Sequence, residues 1–437
     1  MFLAGSAAAV VAGCASTGKA PGKISTRSPN EMLNVAGIGA GGKGASDIDG
    51  ASKHANIVAL CDVDFDKGRE SFERMPDLPR FKDFRVMLDK MGKDIDLCTV
   101  STPDHMHAII AMHCMQMGKG VYVQKPLTKD IYEARMLTEA ARTCGVATQM
   151  GNQGHSHDGV RQFCEMVWSG AIGPVREAHC WTNRPIWPQG ISEPLPKEPV
   201  PSTLDWDLWL GGAPKRPYNS GYCPFKWRGW WDFGCGALGD MACHIMDPPN
   251  WALKLNSPLS VEVVSQEGKN DQTAPNKSVI KYEFGPREDM PALTLYWHDG
   301  GNLPPRPEGL AEDVLLGEGD NGTLLIGDSG LMTCNTYGGK PRLLPDALMA
   351  DYTMPSPTIP RIKDEDPYLN WIEAAKGGEP AASNFDYAGP FTEIVLLGNL
   401  ALRTGQKVEW DPVNMKVTNV PEANQYVRTN YRKGWNL

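Results

Sequence analysis

The sequence lacks the marks of several protein classes. Its eleven cysteines include no C-x-x-C pair and no cysteine–histidine cluster at zinc spacing, so no metal is expected. Cys61, Cys98, Cys164 and Cys180 sit inside apolar runs and read as small core residues, not as a disulfide framework. Positive charge is scarce. The 43 Lys and Arg against 52 Asp and Glu leave a formal charge of -9, and no basic stripe offers itself to nucleic acid. No apolar run is long enough to span a membrane. There is no internal repeat and no low-complexity tract. What remains is a 437-residue chain that is 41% hydrophobic, enough for more than one core and a natural length for two domains.

Residues 1–30 are a different material. Phe2 to Val11 is small and apolar, and Val11-Ala12-Gly13-Cys14 follows. This pattern is similar to a lipoprotein signal, with Cys14 as the residue to be lipidated. No positive stretch precedes it, and Phe2-Leu3 fits the tail of a twin-arginine signal. Residues 15–30 read as a flexible tether. A periplasmic or membrane-anchored location is expected, with a cytosolic protein bearing a disordered tail as the alternative.

The chain turns on Asn34 to Gly44. The apolar run Val35-Ala36-Gly37-Ile38 reads as a buried strand that enters Gly39-x-Gly41-x-x-Gly44, and a helix can start there. Gly39 permits a tight turn, Gly41 and Gly42 leave backbone open to a pyrophosphate, and Gly44 lets helix and strand pack closely. Lys43 and the helix N-terminus face the same phosphates. Ile57 to Cys61 is a second strand, with Asp62 at its end. A carboxylate there accepts hydrogen bonds from a ribose 2′-hydroxyl and repels a 2′-phosphate, which favours NAD over NADP. A glycine turn in an unrelated α/β domain is the competing reading.

Strands at 96–101, 120–124 and 146–150 then alternate with helices, as in a doubly wound parallel sheet. Thr102-Pro103-Asp104 turns one strand into a helix, with Asp104 as its N-cap. Beyond residue 152 the composition changes. All thirteen tryptophans lie between Trp168 and Trp435, and residues 184–226 are rich in Pro and Trp. Strand-like runs at 260–266, 279–284, 292–298 and 322–326 indicate a mostly antiparallel sheet. Helices at 366–376 and 390–404 should cover one of its faces. The fold class is therefore α/β: a Rossmann domain over 31–152, then an α/β domain with a large open sheet over 153–437.

Two constellations carry chemistry. Gln124-Lys125-Pro126 ends a parallel strand, where ligands of such sheets bind. A lysine there can hold a substrate hydroxyl, though a solvated surface lysine is the plainer reading. In Gly234 to Asp247, Asp240 and His244 are four apart and share a helical face. The carboxylate can orient the imidazole, or the histidine can be a satisfied core residue.

The order glycine loop, Asp62, Thr102-Pro103-Asp104-His105-x-His107, Lys125-Pro126, then Gly236-Ala237-Leu238-x-Asp240-x-x-x-His244 resembles the glucose–fructose oxidoreductase/inositol dehydrogenase/MocA family. The resemblance runs from about Leu33 onward and is weaker through the Pro/Trp-rich region. It implies hydride transfer with NAD, His244 as general base, Asp240 fixing its tautomer and Lys125 holding the hydroxyl. The family's usual motif is Glu-Lys-Pro, and Gln124 stands here in the first position. Ser101, Thr102, Pro103, His105, His107, Gln124 and Gln153 are expected around the nicotinamide. His155, Trp181, Asn183 and Arg184 are expected around a carbohydrate, against the alternatives of a core tryptophan and a surface arginine. Trp227, Arg228, Trp230 and Trp231 read as a lid or subunit contact, and His298-Asp299 as reaching the same cleft. The expected activity is oxidoreduction at a ring hydroxyl of a sugar, glycoside or cyclic polyol. A glycosidase that oxidises and re-reduces its substrate on bound NAD is the runner-up, and a carbohydrate-binding protein with a dead site the third. The resemblance implies a homodimer or homotetramer packed through the open sheet.

Overall fold

Short apolar runs in the first third of the chain become strands buried on both faces, as a parallel sheet requires. The computed structural model describes residues 31–437. The leader, the tether and Cys14 fall outside them. The strands are β1 (Asn34–Ile38), β2 (Asn56–Cys61), β3 (Arg80–Phe81), β4 (Leu97–Val100), β5 (Gly120–Val123) and β6 (Thr148–Met150). They run parallel in the order β3-β2-β1-β4-β5-β6. The order reverses between β1 and β4, so the loops after these strands open a crevice. Ser101 N–H donates to the Ile38 carbonyl and holds the two loops together.

Helix α1 (Lys43–Ser52) follows β1, α2 (Asp104–Gln116) follows β4, and α3 (Ile131–Cys144) follows β5. Asp104 does not cap α2. Pro103 occupies that position, and Asp104 is the first helical residue, its carboxylate accepting from Cys235 N–H. Proline there already has the extended backbone an N-cap needs, so the helix starts at Asp104 itself, one residue earlier than a cap by Asp104 would allow.

The second sheet begins with β7 (Val175–Trp181), which follows the crossing helix α4 (Asp158–Trp168). After α5 (Gly236–Ile245) come β8 (Ser260–Glu267), β9 (Lys277–Phe284), β10 (Leu293–His298), β11 (Gly322–Gly327), β12 (Gly330–Cys334) and β13 (Arg342–Leu344). Two helices, α6 (Pro367–Ala375) and α7 (Phe385–Thr404), precede β14 (Val408–Asp411) and β15 (Lys416–Val417). The nine strands order as β13-β12-β11-β7-β10-β9-β8-β14-β15. Only β7 and β10 pair in parallel.

Helix α6 departs from expectation. It covers the first sheet, not the second. Trp371 is fully buried with Leu33, Val35, Leu97 and Tyr122, and Tyr368 stacks on Tyr122 at 4.9 Å. The short helix carries its apolar residues to whichever face is uncovered, and sequence spacing cannot say which. Helix α7 starts at Phe385, not Pro390, capped by Asn384, and packs against α3, α5 and β8.

The Pro/Trp-rich stretch has its own aromatic core of Trp209, Tyr222, Trp230 and Phe233, with Trp206 stacked on Trp209 at 4.8 Å. Aromatic packing replaces periodicity there. Its backbone reaches across to the first domain. Asp64 and Leu204 form an antiparallel bridge, Asp205 N–H donates to Val63 O at 2.9 Å, and Lys82 Nζ donates to Thr203 O at 2.9 Å.

Candidate active site

A cleft of about 540 Å³ runs along the crevice between the two domains. One half is built by the glycine loop. Gly39 has φ +84, and a side chain on it would strike the Ser101 carbonyl. A side chain on Gly44 would collide with the Gly39 carbonyl, which is the close packing expected there. A Cβ on Gly41 would meet the Lys67 carbonyl, so this glycine also makes room for the neighbouring loop. No side chain caps the first turn of α1. Its orphan N–H groups and positive dipole end face the cleft.

Asp62 lies at the end of β2. Its carboxylate accepts from Ala40 N–H at 2.8 Å and Asp64 N–H at 2.9 Å. Burial raises its pKa to about 6, against those bonds. Lys67, Lys82, Phe225 and Trp227 also line the cleft. Lys43 borders it too, but its ammonium pairs with Asp47 at 2.7 Å.

Asp47 is a wholly buried carboxylate that little in its local sequence singles out. Ser101 Oγ donates to it at 2.6 Å, Tyr368 Oη at 2.7 Å and Gln124 Nε2 at 2.9 Å. The side chain of Gln124 is therefore engaged below the cleft, although the residue borders it. Its one signal was the i, i+4 spacing from Lys43.

In the other half, Lys125 Nζ donates to Asp240 Oδ1 at 2.8 Å and to the Asp240 carbonyl at 2.9 Å. Arg228 Nε reaches the same Oδ1 at 3.3 Å. Burial pushes the Asp240 carboxyl up, but the two cations outweigh it and hold it at about 2. Asp240 thus serves Lys125 and Arg228 and makes no hydrogen bond to His244, contrary to the expected tautomer-fixing pair. Two cations reach the carboxylate from the cleft, and they win over an imidazole on the same helix. The His244 ring lies edge-on to Tyr337 at 5.0 Å between centroids, and its buried Nδ1 has no partner. Burial, with Lys125 nearby, lowers its pKa to about 3, so it is neutral at pH 7. Tyr337 comes from the β12–β13 loop, and nothing local in the sequence marks it.

Ser101, Thr102, Pro103, Gln153 and Arg184 line the cleft as expected. Thr102 Oγ1 is buried without a partner. Other expected residues lie elsewhere. His105 is buried with its ring nitrogens 3.3 Å from the Phe233 carbonyl and 2.9 Å from that of Trp209, and those of His107 lie 2.8 Å from the Pro126 and Thr102 carbonyls; each neutral ring donates to one of its two. They fasten loops, and burial lowers both pKa values to about 4. His155 pairs with Asp247 at 3.0 Å and stacks on Trp251. Trp181 is a core residue whose Nε1 donates to the Gly319 carbonyl. Asn183 is exposed and bonds Asp320 and Arg184. Trp230 and Trp231 are also outside the cleft, as is His298, which faces His179 at 3.1 Å. Asp299 is buried against Ser278 and Trp297. Apart from the exposed Asn183, these are buried residues whose contacts within the fold take up the chemistry that had suggested a ligand.

The glycine turn, the uncapped helix end, Asp62 and the unpartnered Thr102 hydroxyl fit a dinucleotide. Among the described residues no group of His, Cys, Asp and Glu is arranged to hold a metal, and no helix is long and apolar enough to cross a membrane.

Residues 33–152 match the NAD-binding Rossmann fold of an oxidoreductase family, and 174–287 match that family's C-terminal alpha/beta domain. Inositol 2-dehydrogenase from Arthrobacter sp. is 30% identical over 169 residues, covering 38% of this chain and 50% of that protein. Inositol 2-dehydrogenase from Rhodococcus erythropolis is 24% identical over 176 residues, covering 38% and 49%. The chain thus spans about half the length of these curated relatives. The WlbA dehydrogenase from Bordetella pertussis, solved with NADH and UDP-GlcNAcA, superposes with a TM-score of 0.60 at 15% identity, covering 87% of this chain and 99% of that one. That likeness is one of fold. With both domains matched in sequence and in order, the chain belongs to the glucose–fructose oxidoreductase/inositol dehydrogenase/MocA family of oxidoreductases.

Proposed function

We propose that the protein is an NAD-dependent oxidoreductase acting on a ring hydroxyl of a sugar, glycoside or cyclic polyol. One observation carries this reading: Lys125, Asp240 and His244 share a cleft with the glycine loop and Asp62. The loop amides and the start of α1 would hold the pyrophosphate, and Asp62 the ribose. Bound there, the nicotinamide supplies the hydride acceptor or donor. Lys125, paired with Asp240 at 2.8 Å, would hold the substrate hydroxyl and stabilise negative charge on its oxygen. Neutral His244 has a free ring nitrogen to take the proton. The walls of Trp227 and Arg228 would orient a sugar ring and exclude water.

A glycosidase using NAD transiently is the second reading. The Pro/Trp-rich segment bridges to the loop after β2 through Leu204 and Asp64 and lines the cleft with Phe225, which favours a retained, self-recycling cofactor. A homodimer or homotetramer, and export with Cys14 as the lipid-bearing residue, belong to the same proposal.

The test is direct. Denature the purified protein and identify any released nucleotide by mass, then follow nicotinamide reduction and free sugar across a glycoside panel. Reduction without aglycone release supports the oxidoreductase, and release without net reduction the glycosidase. Lys125→Ala and His244→Ala should each lower turnover on the order of 10²–10⁴-fold while retaining the nucleotide. If both variants stay active, the site is misassigned.

A further inference from the structure

A second cavity, of about 250 Å³, opens beside the start of α5, away from the residues assigned to hydride transfer. Its walls include Lys129, Trp231, Asn399, Arg403, Tyr426 and Arg428. Asn399 is only 7% exposed. Its Nδ2 donates to the Cys235 carbonyl at 3.1 Å, but its buried Oδ1 has no partner. Arg403 lies one helical turn further along α7. Its guanidinium sits 3.8 Å over the Tyr426 ring and 5.4 Å from that of Trp231, and its buried Nε is also without a partner.

The acidic residues on the wall are occupied. Asp130 accepts from Glu133 N–H at 2.8 Å and Thr429 N–H at 2.7 Å. Asp232, which faces Arg403, is held by Arg216 at 2.5 Å. The Lys129 ammonium donates to Thr429 Oγ1 at 3.0 Å, with its backbone N–H on Glu133, and Arg428 lies over the Tyr132 ring. Among the described residues the cavity therefore presents three cations held in no ion pair, one amide oxygen that needs a donor, and two aromatic walls. Buried polar groups left in this state are destabilising until something satisfies them.

We propose that this cavity is a second binding site, for a small hydroxylated oxyanion. Arg403, Arg428 and Lys129 take the anionic group, Asn399 Oδ1 accepts from a hydroxyl, and Trp231 and Tyr426 pack against the carbon skeleton. The anion is supplied by a carboxylate, as in a sugar acid, or by a phosphate, as in a sugar phosphate. Through the Asn399–Cys235 bond the occupant adjoins the first turn of the helix that bears Asp240 and His244.

Calorimetric titration of the full-length protein with gluconate, glucose 6-phosphate and uncharged glucose tests this. Titrations are run in a Lys125→Ala background, which removes a cation of the main cleft. Saturable binding of gluconate or glucose 6-phosphate, weakened tenfold or more by Arg403→Met and by Asn399→Asp, is expected, and the anion that binds identifies the source. Should Arg403→Met fail to fold, Asn399→Asp alone decides, because it sets a negative charge against the ligand. Absence of saturable binding by both anions, equal binding of glucose, or binding that survives Asn399→Asp overturns the proposal.

Discussion

Replacing Gln124 with the family's usual glutamate should destabilise this protein. The Gln124 amide donates to both oxygens of Asp47, at 3.1 and 2.9 Å, and both side chains are buried. Gln124→Glu removes both bonds and sets two carboxylates face to face. Two unit charges about 3 Å apart at an effective dielectric near 20 repel by about 5.5 kcal/mol. The pair can avoid this by keeping one proton. For a glutamate of ordinary pKa near 4.3, holding that proton at pH 7 costs about 3.7 kcal/mol, at about 1.36 per pH unit. The smaller figure sets the loss: about 3–4 kcal/mol at pH 7, shrinking to about 1 near pH 5. Urea unfolding of wild type and variant at the two pH values measures it. Adding Asp47→Asn should restore most of the stability, since the amide–carboxylate pair is then reversed. A loss under about 1 kcal/mol at pH 7, or one equal at both pH values, refutes the reasoning.

Trp371→Ala opens a cavity beneath the first sheet and should destabilise by about 3–5 kcal/mol in the same assay, with a loss below 1 refuting the packing described. Asp62→Ala should reduce discrimination against NADP, with Lys67 and Lys82 left to meet a 2′-phosphate; unchanged NAD/NADP affinity ratios in calorimetry would argue against Asp62 as the ribose ligand. Stability should also vary with pH. Burial lowers His105, His107 and His298 to about 4 and His244 to about 3, so the unfolded chain binds more protons below its ordinary histidine value, and these groups destabilise as pH falls through that window. Burial raises Asp104 and Asp299 to about 7, so the folded chain binds more protons and stability falls as pH rises toward that value. The two sets oppose each other throughout, because a histidine of ordinary value near 6.5 is still about half protonated in the unfolded chain at about pH 6.5. The four histidines outweigh the two carboxyls below about pH 6 and roughly cancel them near pH 7, so unfolding free energy should fall as the pH drops from about 6 to 5, and a rise on acidification over that interval would contradict the assignment.

The glycine loop, Asp62 and Lys125 were legible because each is fixed by local backbone: a tight turn, or the end of a parallel strand. The alternation of strands and helices and the change to a second sheet were legible for the same reason. His105, His107, His155 and Trp181 looked like ligands by residue type and neighbourhood, but the partners that satisfy them come from distant segments: Phe233, Pro126, Asp247 and Gly319. Asp47 and Tyr337 entered the site unforeseen by the same route, through Tyr368 and a loop of the second sheet. The destination of α6 was equally hidden, since an apolar stripe states that it must be covered without saying by what.

The placement of α6 has a consequence for synthesis. The amino-terminal lobe has all its strands once residue 150 is made, yet the tryptophan that seals its flank arrives only at residue 371. While the ribosome works through the intervening chain, Leu33, Val35 and Tyr122 stand bare on the nascent lobe, and such surface invites chaperones or aggregation. A nucleotide pocket fully supported from below can form only after that helix has been released.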